Sequence, residues 1–134
     1  MPAPGEHHPA FEEYCEAIFE LREDDVEVIQ ARIEAESCLR IIEKHDASDD
    51  KLFRARCIHV KEERAELVKH HLDVLWHDYF KPEHLETYPQ LHELFWNATK
   101  EAGNAKRSED PAQGQKLLDA IDELSKVFWE TKSA

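Results

Sequence analysis

The chain has 134 residues, of which 41% are apolar, 35% are charged and only three are glycine, with a net charge of −13. That composition suits one helical domain around one core, and the acidic balance excludes nucleic acid and anionic membrane surfaces as partners. No apolar run approaches the roughly 18 residues of a membrane span. The opening residues, MPAPGEHHPAFEEY, have neither the basic nor the apolar region of a signal peptide. The three cysteines, Cys15, Cys38 and Cys57, form no CxxC. An odd count without an export signal points to reduced thiols and a cytoplasmic location.

The first predicted helix runs from about Pro9 to Arg22. Phe11, Cys15, Ile18 and Leu21 share one face, and Glu12, Glu13, Glu16 and Glu20 crowd the others. The acidic stretch Glu23-Asp24-Asp25 is expected to break this pattern. A second helix covers about Val26 to His45, although Val26 to Ile29 taken alone also has the composition of a short strand. Asp46 to Asp50 form a turn, with Ser48 or Asp49 as N-cap of the next helix.

The third helix is long, about Asp50 to Tyr79. Phe53, Cys57, Val60, Arg64, Leu67, His71, Val74 and Asp78 alternate at spacings of four and three, a bundle pattern, and are expected to face the core. Lys81-Pro82 ends it. The fourth helix is expected over about Tyr88 to Ala102, stopped by Gly103-Asn104. The fifth follows Pro111 and carries Leu117, Ile121, Leu124 and Phe128. The fold class is therefore all-α: an antiparallel four-helix bundle with an additional N-terminal amphipathic helix.

Several blocks in order carry a family resemblance: Ala31-Arg-Ile-Glu-Ala-Glu-Ser37, Lys61-Glu-Glu-Arg-Ala-Glu-Leu67, Lys69-His-His-Leu-Asp-Val-Leu-Trp76, Asp78-Tyr-Phe-Lys-Pro82, Tyr88-Pro-Gln-Leu-His92 and Phe128-Trp-Glu-Thr-Lys132. From Ala31 onward the chain resembles nickel superoxide dismutases. The resemblance implies a four-helix bundle assembled as a homohexamer, with superoxide as substrate. It also implies nickel held in an N-terminal hook of the form His-Cys-x-x-Pro-Cys-Gly-x-Tyr, through two thiolates, the terminal amine, a backbone amide and an axial imidazole. Planar nitrogen and sulfur ligation suits Ni(II).

Counting back from Ala31, the hook should occupy about Ile18 to Val26. The sequence there, Ile18-Phe-Glu-Leu-Arg-Glu-Asp-Asp-Val26, has no His, Cys, Pro or Gly, and no Cys-x-x-x-Cys occurs anywhere. The nickel ligands therefore transfer to no residue. Residues 1–25 are expected to form an extension whose helix replaces the hook, and residues 26–134 the bundle. The residues around the hook do have counterparts. Glu34 and Arg64 match the pair that positions the axial imidazole, Tyr79 an active-site tyrosine, and Lys81 a basic residue beside it. Arg64 on an apolar stripe needs a partner, because an unpaired buried charge costs several kcal/mol; Glu34 is that partner.

A shorter stretch, Glu12-Glu-Tyr-Cys-Glu-Ala-Ile-Phe-Glu-Leu21, is similar to the first helix of iron- and manganese-dependent repressors, with Glu13 and Glu16 at carboxylate positions. The DNA-reading helix that should follow is missing, so regulation of transcription does not follow. Among the nine histidines, His7 and His8 are adjacent and, with Glu6, Glu13 or Glu16, are candidate ligands for Cu(II), Ni(II) or Zn(II). His70 and His71 point about 100° apart on a helix, so one is expected to pack and the other to face solvent or a subunit contact. Cys38 and Cys57, at similar distances from the turn near Ser48, are expected to face each other as a buried thiol pair.

Two functions follow. One is a superoxide dismutase-like metalloprotein with an altered site, its redox metal being nickel by family or copper by the available ligands. The other is a non-catalytic homologue, an oligomeric scaffold or metal-binding protein whose N-terminal helix fills the vacated site. The acidic surface repels superoxide unless cations such as Arg64 and Lys81 guide it locally.

Overall fold

The computed structural model describes residues 9–133, with side chains described from Asp24 onward. The elements in chain order are α1 (Pro9–Asp46), α2 (Lys51–Val74) continued by a π-helical turn (Leu75–Tyr79), α3 (Pro82–Thr87), α4 (Leu91–Arg107) and α5 (Pro111–Ser133). Among these elements there is no strand, so Val26 to Ile29 are helical. None of the helices is long and apolar enough to cross a membrane. Four long helices form a ring in which α1 packs on α2 and α5, and α4 packs on α2 and α5. Short connections make successive long helices antiparallel, so the four-helix bundle holds.

The expected break at Glu23–Asp25 does not occur: α1 is one helix of 38 residues, and residue 25 lies inside it. No glycine or proline interrupts the chain between Pro9 and Asp46, and the central acids have a counter-charge. The ammonium of Lys132, near the end of α5, lies 3.8 Å from Asp24 Oδ2 and 3.8 Å from Asp25 Oδ1.

The turn into α2 is capped by Asp50 rather than Ser48 or Asp49. Its Oδ1 accepts from the backbone N–H of Leu52 at 3.0 Å and of Phe53 at 3.4 Å. Ser48 instead accepts from the Asp50 N–H. Beyond the π-helical turn, extended Phe80 and Lys81 lead to Pro82, which opens α3, a short helix absent from the sequence expectation. Gly103 and Asn104 do not stop α4, which continues to Arg107. Gly114 marks a close approach of α5 to α1: a Cβ there would lie 3.1 Å from the Cα of Leu39.

The core is built from Val28, Ala31, Ala35, Cys38 and Leu39 of α1, Phe95, Ala98 and Ala102 of α4, and Leu117, Ile121, Leu124 and Phe128 of α5. On α2 the buried stripe is Cys57, Lys61, Ala65, Val68 and Leu72, followed by Leu75. Of the stripe expected from the sequence, Cys57 alone belongs to it. Phe53 and Leu67 are exposed, and Arg64 is half-exposed. The helix is rotated by one residue because Ala65 and Val68 permit close packing. Lys61 tolerates burial because its ammonium donates to the Ser108 carbonyl at 2.6 Å.

This rotation has a direct check. Leu72→Ala should destabilise the protein by about 2–5 kcal/mol, the cost of truncating a fully buried leucine, measured by urea unfolding. A change near zero would return the expected stripe to the core.

Candidate functional site

Glu34 and Arg64 meet where α1 crosses α2. The Glu34 side chain is buried, at 6% exposure, whereas the Arg64 side chain is 43% exposed. One guanidinium nitrogen donates to both carboxylate oxygens, at 3.2 and 3.0 Å. Seven residues away on each helix, a second polar pair crosses the same seam: His71 Nδ1 lies 2.6 Å from Glu27 Oε2. His71 is the packed member of the His70–His71 doublet and His70 the exposed one, as helical geometry requires.

Tyr79 stands elsewhere. It ends the π-helical turn, and its hydroxyl is 2.7 Å from Thr131 Oγ1. Its ring packs on Phe128 at 4.7 Å and stacks on His84 at 5.4 Å. The Lys132 ammonium lies over the same ring at 4.9 Å. Fifteen residues separate Arg64 from Tyr79, roughly 20 Å of helix at helical rise. The expected grouping of Glu34, Arg64 and Tyr79 around one point is therefore not formed within a single chain. Lys81 is exposed at the start of α3, where its backbone N–H donates to His84 Nδ1 at 3.1 Å.

The segment in register with the hook, Ile18 to Val26, is continuous α-helix. Its described carboxylates, Asp24 and Asp25, face Lys132. Asp25 Oδ1 is buried without a hydrogen-bond partner, its compensation being the ammonium 3.8 Å away. Sequence reasoning missed Lys132 as the residue that closes this end; the acidic run opposite it was the available signal. Among the described residues, no group of three or more His, Cys, Asp or Glu side chains is arranged to hold a metal. His7 and His8, and with them Glu6, Glu13, Glu16 and Cys15, lie outside the described residues or side chains.

Cys38 and Cys57 are both buried free thiols. The Cys38 thiol donates to the Lys61 carbonyl at 3.7 Å. Cys57, a turn earlier on α2, lines a small cavity with Ile42, His45 and Lys61. Burial, reinforced by the Glu34 carboxylate, pushes the Cys38 thiol up to about 12. It therefore stays protonated at neutral pH, whereas a metal ligand must be a thiolate.

The comparisons with known proteins agree with one another. The family model described as nickel-containing superoxide dismutase matches residues 25–132. The protein named Superoxide dismutase [Ni] from Streptomyces seoulensis is 60% identical over 105 residues, covering 78% of this chain and 80% of that protein. The protein of the same name from Streptomyces coelicolor is 55% identical over 105 residues, with the same coverage. A crystal structure of a Ni-containing superoxide dismutase, with nickel ligation corresponding to the oxidised state, is 59% identical. It superposes with a TM-score of 0.78 over 80% of this chain and 92% of that one.

Two measurements probe the site as built. Arg64→Ala should cost about 1–3 kcal/mol, below the full penalty of a broken buried pair because the guanidinium is half in water. The combined Glu34→Gln, Arg64→Ala variant should recover part of that loss, and strict additivity in urea unfolding would mean the two side chains do not interact. In thiol alkylation at pH 8 followed by peptide mapping, Cys38 should stay unmodified until the protein is unfolded. Rapid native labelling of Cys38 would contradict its raised pKa.

Proposed function

The chain belongs to the nickel-containing superoxide dismutase family, and on that premise we propose that it is a superoxide dismutase-like metalloprotein with an altered metal site. Two superoxide anions and two protons become dioxygen and hydrogen peroxide, a reaction that requires a redox metal passing between two oxidation states. The single observation that carries the proposal is the Glu34–Arg64 pair, retained in a bundle whose hook is gone.

The described residues do not fit the nickel set of the family. No group of three or more His, Cys, Asp or Glu side chains among them is arranged to hold a metal, and the described carboxylates in hook register, Asp24 and Asp25, lie against Lys132. The metal is accordingly assigned to the N-terminal residues, with His7 and His8 as ligands. It is nickel by family, or copper by the preference of amine and imidazole donors. Arg64, with its guanidinium reaching solvent above Glu34, is suited to orient an imidazole or to attract an anion. Exposed Lys81 supplies a local cation against the overall charge of −13. A cytoplasmic location and hexameric assembly are parts of the same proposal.

One observation favours a second reading, a non-catalytic homologue. The Asp24–Asp25–Lys132 contacts close this end of the bundle, which is how a scaffold with a sealed site would be built.

Elemental mass spectrometry separates the two readings. Purified full-length protein should carry a redox metal, and His7→Ala with His8→Ala should lower its stoichiometry at least several-fold with the helical content unchanged. A preparation without redox metal after loading with nickel, copper, manganese and iron would overturn the metalloprotein proposal. Unchanged metal content in the double variant would remove His7 and His8 as ligands.

A further inference from the structure

The hydrogen bonds around Tyr79 have a direction that the geometry dictates. A threonine hydroxyl has one hydrogen to donate and lone pairs with which to accept. Thr131 Oγ1 lies within hydrogen-bond distance of two oxygens: the Phe128 carbonyl, three residues back on α5, and the Tyr79 hydroxyl at 2.7 Å. A carbonyl only accepts, so the Thr131 hydrogen points to Phe128. The hydrogen between Thr131 and Tyr79 therefore belongs to Tyr79: the phenol donates and Thr131 accepts.

The surroundings hold the ring in place for this bond. Tyr79 is the last residue of the π-helical turn, where the Phe80 N–H donates to the Leu75 carbonyl, five residues back, at 3.3 Å. Its ring packs edge-on against Phe80 at 5.0 Å, against Phe128 at 4.7 Å, and is stacked with His84 at 5.4 Å. The direction of a second hydrogen bond follows in the same way. His84 Nδ1 accepts from the Lys81 backbone N–H at 3.1 Å, so the ring hydrogen of His84 sits on Nε2.

We propose that Thr131 is a positioning residue for Tyr79: it takes up the phenol hydrogen, so that Tyr79 meets a ligand at this end of the bundle as an acceptor alone. The ligand rests on the dismutase reading above; the direction of the hydrogen bond rests on geometry. Superoxide has lone pairs and no hydrogen, so Tyr79 offers it no donor. Hydrogen peroxide has hydrogens and donates to the phenol oxygen. Attraction of the anion falls to Lys132, whose ammonium lies 4.9 Å over the Tyr79 ring, and hydrogen donation falls to Nε2 of His84. Tyr79 so held receives the product and does not protonate the substrate. Without the Thr131 hydroxyl, the phenol hydrogen is free to turn toward the ligand.

Infrared difference spectroscopy of the full chain tests the proposal. Donation strengthens a phenol C–O bond and acceptance weakens it, so the two states move the C–O stretch in opposite directions. Ring-deuterated tyrosine, with the Tyr79→Phe spectrum subtracted, picks Tyr79 out of the chain's three tyrosines. The wild-type stretch should lie on the high-frequency side of a free phenol. Thr131→Ser should keep it there and Thr131→Val should lower it, with the circular dichroism unchanged. A wild-type stretch on the low-frequency side, or a Thr131→Val spectrum identical to wild type, would overturn the proposal. If Thr131→Val disturbs folding, the wild-type band decides by itself. These spectra involve neither metal nor superoxide, so a chain without dismutase activity would overturn the reading above and leave this result standing. In active protein, at equal metal content, superoxide decay should slow several-fold in Thr131→Val and return to the wild-type rate in Thr131→Ser. Equal rates in Thr131→Val and wild type would overturn the role of Thr131 in the reaction.

Discussion

A carboxylate buried between two helices needs a cation within reach, and Arg64 provides it for Glu34. That requirement fixes the register of α1 on α2. Once Glu34 is level with Arg64, Glu27 falls level with His71 and the small residues Ala31, Ala35, Ala65 and Val68 turn toward the core. The same rotation leaves Phe53, Val60 and Leu67 on the outer side. The ion pair, the polar ladder along the seam and the close packing at Ala65 and Val68 all fit one register of the two helices.

The other end of the bundle is governed by Lys132. Its ammonium lies against Tyr79 and Phe128 and is counterbalanced by Asp24 and Asp25. Where relatives of this chain are named for nickel, the corresponding segment here is an uninterrupted acidic helix. The chain therefore keeps the body of the family and departs from it at the residues that would hold the metal. On the proposal made above, the redox metal is held by residues ahead of the bundle, His7 and His8.

Much of this was legible in the residues. The four long helices, their antiparallel order and the partnership of Glu34 with Arg64 follow from periodicity, capping residues and the cost of an unpaired charge. The face of α2 did not. Its outer stripe carries the large apolar residues Phe53, Val60 and Leu67 at bundle spacing, whereas the true core positions include Lys61 and the small Ala65. A lysine becomes a core residue only because a carbonyl from the α4–α5 connection lies within reach of its ammonium. The continuity of α1 was hidden for a related reason: the counter-charge for Asp24 and Asp25 sits more than a hundred residues later in the chain. Tyr79 and Arg64 looked like neighbours because a resemblance groups residues by function, whereas one helix separates them by about four turns.

The central claim is that the bundle still carries a dismutase. Stopped-flow decay of superoxide, followed with protein of known metal content, tests it most directly. The account predicts decay that accelerates in proportion to bound redox metal. Decay no faster than the uncatalysed background, at every metal loading, would contradict it.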